Sequence, residues 1–95
     1  GETQLQGILM AVECAAKGLV FVVKVDGRTL RLWTQSFEAM EITTYSPDVA
    51  GEITCGARKA ESVVVCFVAQ IDKRLKTDGV IKSIEFVPAK FKLKS

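Results

Sequence analysis

Ninety-five residues, 48% hydrophobic and 25% charged with a net charge of +2, define one small globular domain and exclude a disordered chain. No apolar run approaches the ~20 residues that span a bilayer, and nothing reads as a secretion leader. Residues 1–60 hold six basic and seven acidic groups and residues 61–95 hold seven and four, which is short of the basic stripe of a dedicated nucleic-acid binder. The chain begins at Gly1 rather than Met, so residues 1–95 are read as a single domain excised from a longer protein.

Residues 1–6 form a lead-in. Leu5–Cys14 alternates weakly, with Ile8, Met10, Val12 and Cys14 on one side and Leu9 and Ala11 on the other. With Gly7 near its start, this predicts a long bent strand, since glycine marks a bulge or a close backbone approach. A helix over Leu9–Lys17 is the competing reading, because Met, Ala, Glu and Lys favour helix. Ala15-Ala16-Lys17-Gly18 then turns the chain.

Leu19–Thr34 is the strongest signal in the sequence. Asp26-Gly27 between two β-rich runs predicts a hairpin with a type I′ turn, which needs φ > 0 at both central residues. Counting outward from Val25 and Arg28 pairs Val23 with Leu30 and Phe21 with Leu32, an apolar patch. The opposite face pairs Lys24 with Thr29, Val22 with Arg31 and Val20 with Trp33. A one-residue slip would drive Lys24 and Arg31 into the patch, so the register is pinned.

Gln35-Ser36 breaks the pattern, Phe37–Met40 suits one helical turn, and Glu41–Tyr45 reads as a short β-branched strand. Ser46-Pro47-Asp48 is a turn and Glu52–Cys55 another short strand, ended by Gly56. Residues 57–62 are expected to be a polar loop. Ser62–Gln70 is apolar on both faces, which predicts a central strand. Asp72–Asp78 is a charged loop. Gly79 opens a strand with Val80, Ile84 and Phe86 on one face and Ile81, Ser83, Glu85 and Val87 on the other. Pro88 ends it. The tail alternates Phe91 and Leu93 against three lysines, the pattern of an edge strand or of a tail laid over the sheet. Six to seven short strands with regular turn signals predict an all-β fold: a small antiparallel barrel, OB-like, with an SH3-like barrel as the alternative.

Chemistry-bearing residues are sparse. With no His, the commonest general base and zinc ligand is missing. Cys14, Cys55 and Cys66 have no CxxC spacing, and neither a phosphate loop nor, without Asn, a glycosylation sequon exists. Cys14 and Cys55 each close an expected strand, so either one bridge joins them or all three cysteines are free thiols. No catalytic group, metal or cofactor is expected, and no membrane span.

ITCG (Ile53–Gly56), VVVCF (Val63–Phe67), DGVIKSIEF (Asp78–Phe86) and GILMAVEC (Gly7–Cys14) together resemble a small β-barrel module near the C-terminus of bacterial proteins that carry tetratricopeptide repeats. The resemblance implies an accessory domain acting through its surface, and it implies that Cys14 pairs with Cys55. Such a bridge would favour an extracytoplasmic home. The expected function is therefore a non-catalytic interaction domain whose partner is a protein, either its own parent chain or another subunit. The candidate contact surface is Val20, Val22, Lys24, Arg31 and Trp33 on the hairpin, with Phe91 and Leu93 in the tail. The alternative is an OB-type binder of single-stranded nucleic acid or a saccharide through the Trp33 face.

Overall fold

The computed structural model describes residues 1–45 and 54–92. The Ser46-Pro47-Asp48 turn, most of the expected strand before Cys55, and Leu93 lie outside the described residues. Six strands form one sheet: β1 (Glu2–Ala15), β2 (Gly18–Val25), β3 (Arg28–Thr34), β4 (Glu41–Thr44), β5 (Gly56–Asp72) and β6 (Thr77–Phe86). A 3-10 turn, η1, covers Phe37–Ala39.

The β2–β3 hairpin has the register that its sequence dictates, from Val25 opposite Arg28 to Val20 opposite Trp33. Asp26 and Gly27 both have positive φ, 49° and 79°, as a type I′ turn requires. Phe21, Val23 and Leu32 are fully buried and Leu30 nearly so. Gly27 has open space where a Cβ would stand, so only its backbone conformation resists substitution. Gly27→Val should therefore lower stability by at least about 1 kcal/mol, and an unchanged melting midpoint would refute the turn assignment.

The sheet runs β3-β2-β1-β5-β6-β4 and closes on itself through β3 against β6, a ring of hydrogen bonds through five strands. The closure is parallel, Leu32 to Gly79 and Trp33 to Val80, and β4 also runs parallel to β6. The sheet is thus mixed rather than wholly antiparallel. In a closed ring of five strands the directions cannot alternate all the way round, and β3 with β6 takes the mismatch.

Two bulges explain where simple alternation fails. Met10 is an extra residue on β1, since Leu9 pairs with Val23 and Ala11 with Val22. It flips the parity, so that Leu9 and Val12 both reach the core while Met10 is exposed. Lys82 does the same on β6: Cys66 pairs with Ser83 and Phe67 with Ile81, which brings Ile81 inward beside Ile84 and Phe86. Gly7 is not a bulge but a close approach, for a Cβ there would lie 2.6 Å from the Lys24 carbonyl oxygen.

The expected polar loop at 57–62 is strand. β5 runs from Gly56, pairs Ala57 with Ala11 and, after an irregular stretch, Glu61 with Leu9. The polar side chains there are satisfied locally, because Arg58 forms an ion pair with Glu61 and lies 5.7 Å from the centre of the Phe86 ring. Expected strand breaks also move at the β5–β6 connection, which is a four-residue turn (73–76) with Gly79 inside β6.

Fourteen buried side chains among the described residues form one core cluster. Phe37 of η1 packs against it, its ring edge-on to Phe21 at 6.2 Å between centroids. The tail is not an edge strand over its described part. Residues 89–90 are a turn, Val87 N–H donates to the Ser62 carbonyl, and the Phe91 carbonyl accepts from the Gln6 side chain at 2.6 Å. It crosses the outer face where Gln6 pairs with Val64, and Val64 is 2% exposed.

Candidate functional site

The outer face of the hairpin carries an apolar row that continues across the sheet. Val20 pairs with Trp33, Trp33 with Val80 and Val80 with Val68. Side chains at paired positions share a face, so the row has Trp33 near its middle. Val20 is buried, while Val22, Trp33, Val68 and Val80 are half-buried.

Trp33 is held in place on one edge. Its Nε1–H donates to the Lys17 carbonyl at 3.2 Å. Gly18 is a glycine for the same reason: it has φ +140°, and a Cβ would stand 2.5 Å from Trp33 Nε1 and 2.5 Å from the Thr34 carbonyl oxygen. The indole also borders a cleft of about 140 Å³ together with Gln70, Asp72, Leu75, Thr77 and Val80. Asp72 and Leu75 are shared with a second hollow of about 150 Å³, whose other walls are Lys17 and Arg74. Two turns, β1–β2 and β5–β6, thus flank the ring.

The charges around the cleft divide into engaged and free. Arg31 is engaged three ways: its guanidinium meets Glu13 at 2.8 Å and donates to the Lys76 carbonyl, while its backbone N–H donates to Asp78. Asp72 accepts from the backbone N–H groups of Arg74 and Leu75. The side chains of Lys17, Lys73, Arg74 and Lys76 form no ion pair among the described residues. Lys24 is exposed at the hairpin end of the same face. Of the hairpin residues singled out from sequence, the structure therefore gathers Val20, Trp33 and, through its anchors, Arg31. Phe91, 39% exposed, belongs to the tail over Gln6 and is not part of this cleft.

A sequence reading of Trp33 as a platform misses the other wall. Leu75 and Val80 come from the β5–β6 hairpin, and only the short parallel contact of β3 with β6 brings them beside the ring.

Cys14 and Cys55 form a disulfide with Cα atoms 5.6 Å apart, and Cys66 is free. Cys66 Sγ–H donates to Glu2 at 2.9 Å. That bond pushes the thiol pKa up, and desolvation and the Glu2 charge add to the shift. Raised pKa means less thiolate, so iodoacetamide should modify Cys66 more slowly at pH 8 than an unstructured peptide cysteine. Glu2→Gln should accelerate the reaction, and an unchanged rate would refute Glu2 as the cause.

Among the described residues no group of three or more His, Cys, Asp or Glu is placed to hold a metal ion. No helix among them is long and apolar enough to cross a membrane. No family model matches the chain, and neither a curated protein nor a solved structure matches it.

Proposed function

We propose that this chain is a non-catalytic accessory domain that binds a partner through the Trp33 cleft, in an OB-type barrel. Support for the barrel type comes from the ring order β1-β2-β3-β6-β5 with its parallel closure. The ring is also staggered, as closure into a barrel requires: following paired residues from Glu2 through Val68, Val80, Trp33 and Val20 returns to β1 at Glu13, eleven residues further on with the Met10 bulge included. OB-type barrels bind ligands on the face of strands two and three, between the first and last hairpin loops. The corresponding place here is the cleft between the β1–β2 and β5–β6 turns.

The observation that carries the reading is the half-buried indole of Trp33, fixed by Lys17 and Gly18 and bordering an open cleft. Aromatic anchors in preformed pockets dominate binding energy. The resemblance to modules beside tetratricopeptide repeats favours a protein partner in a bacterial parent chain. The Cys14–Cys55 disulfide favours an extracytoplasmic home, because cytosolic disulfides are rare.

A fragment screen by ligand-observed NMR tests the reading. Fragments should collect at the Trp33 cleft and be lost in a folded Trp33→Ala variant. If hits prefer the polar hollow between Glu2, Glu38 and Lys82 and ignore Trp33→Ala, the cleft is not the site. The second reading, single-stranded nucleic acid or a saccharide on the same face, is favoured by the free cations beside the ring. An unchanged Trp33 emission on titration with a short oligonucleotide at low salt removes the nucleic-acid arm.

A further inference from the structure

We infer that the Trp33 cleft and the adjoining hollow together recognise an acidic peptide segment, one apolar side chain entering beside the indole and a neighbouring carboxylate resting between Lys17 and Arg74. This rests on the cleft being the binding site. Two contiguous hollows of different character carry it. The first, about 140 Å³, is walled by Trp33, Leu75 and Val80, with polar groups of Gln70 and Thr77 at its margin. The second, about 150 Å³, has Lys17 and Arg74 as its walls and shares Leu75 and Asp72 with the first. A ligand spanning both must present an apolar group and an anion within a few ångströms of each other.

Charge complementarity sets the sign. Glu13 is paired with Arg31, whereas Asp78 and Asp72 accept only backbone N–H groups and keep their charge, so Lys17, Lys73, Arg74 and Lys76 outnumber them by two positive charges. These cations on the two turns form no ion pair among the described residues. They keep a field that attracts anions and repels basic segments.

Peptide is favoured over oligonucleotide by the number of rings. Sequence-tolerant binding of a nucleic-acid strand uses a series of aromatic side chains for successive bases. This face offers one, and Arg31, the next cation along the strands, is committed to Glu13 and Lys76. One ring with aliphatic walls and a charged margin suits a single anchoring side chain with a polar rim.

The test uses the 95-residue chain and four probes followed by Trp33 fluorescence at low salt. They are a nonapeptide of Asp and Glu around a central Leu, the same peptide with Ser for every acid, the same with Lys for every acid, and a nonamer of thymidylate. The acidic peptide should bind at least about tenfold tighter than the neutral one, the ratio expected for roughly 1.4 kcal/mol from two screened charge contacts. Raising the salt concentration should shrink that ratio.

The double variant Lys17→Glu/Arg74→Glu should abolish the preference and improve binding of the basic peptide. Lys73→Glu makes a single reversal on the same turn without lining either hollow, and should weaken the acidic peptide distinctly less than the double variant does, with the difference persisting as salt is raised. Acidic and neutral peptides binding equally overturns the charge proposal while leaving the cleft as the site. Tighter binding of thymidylate, an unaltered preference in the double variant, or no binding of the acidic peptide each overturns it too. Probe binding that ligand-observed NMR detects, that leaves Trp33 emission unchanged and that survives Trp33→Ala sinks the cleft itself.

Discussion

Opening the Cys14–Cys55 disulfide should cost the fold about 4 kcal/mol. The bridge joins positions 41 apart in sequence, and a closed loop of that length restricts the unfolded chain by about 13 cal/mol/K in the loop-entropy model, near 4 kcal/mol at 25 °C. The loop is not a peripheral one. It contains β2, β3, η1 and β4, and its two ends are the end of β1 and the residue before β5, so the bridge ties strands that pair with each other. For a domain of this size, whose whole stability is of the order of 5–15 kcal/mol, that is a large share. Both cysteines are exposed, so a dithiol can reach them without prior unfolding. Urea titration of the oxidised chain and of the Cys14→Ser/Cys55→Ser variant should show a midpoint lower by about 1–4 M, for slopes of roughly 1–3 kcal/mol/M. A midpoint shift of a few tenths molar would mean that the unfolded chain is already compact around these positions. Cys66→Ser, which changes only the free thiol that bonds to Glu2, serves as the contrast and should change little.

What the sequence made legible was decided locally. The Asp26-Gly27 turn and its two-residue loop fix six cross-strand pairs by counting, and the structure has all six, with Leu19 opposite Thr34 beyond them. Long-range features were hidden for definite reasons. The Met10 and Lys82 bulges each insert one residue, and a period of two cannot reveal where its own phase shifts. Residues 57–62 read as loop because they are polar. Yet Arg58 and Glu61 neutralise each other on a strand whose ladder to β1 is irregular there. The parallel closure of β3 on β6 involves two residue pairs, far too few to leave a pattern. The candidate site followed the same division. Trp33 and Arg31 were placed on one face by the hairpin register, but the cleft exists only because Leu75 and Val80 arrive from more than forty positions away, and the engagement of Arg31 by Glu13 depends on the β1–β2 pairing.

The other large effect concerns Phe21, where Phe21→Ala should lower stability by roughly 3–5 kcal/mol. Its side chain is fully buried. It sits opposite Leu32 on β3 and Val12 on β1, so truncation opens a void against two strands at once. Strand backbones held by ladders on both sides relax little, which puts the cost at the upper part of the range. A second loss follows from Phe37, whose ring meets Phe21 edge-on. Such pairs contribute about 0.5–1.5 kcal/mol beyond burial, and Phe37 is the side chain by which η1 docks on the core. Without it the link from β3 to β4 loosens before the ring itself does. Phe21→Leu, which keeps most of the volume, should cost distinctly less than Phe21→Ala. Phe37→Ala in the Phe21→Ala background should then cost less than in the parent chain, by the coupling of the pair. Chemical denaturation of the parent chain and the four variants measures all three differences. Additive losses at the two positions would show that η1 is anchored elsewhere, and a loss below about 1.5 kcal/mol for Phe21→Ala would displace Phe21 from the centre of the core.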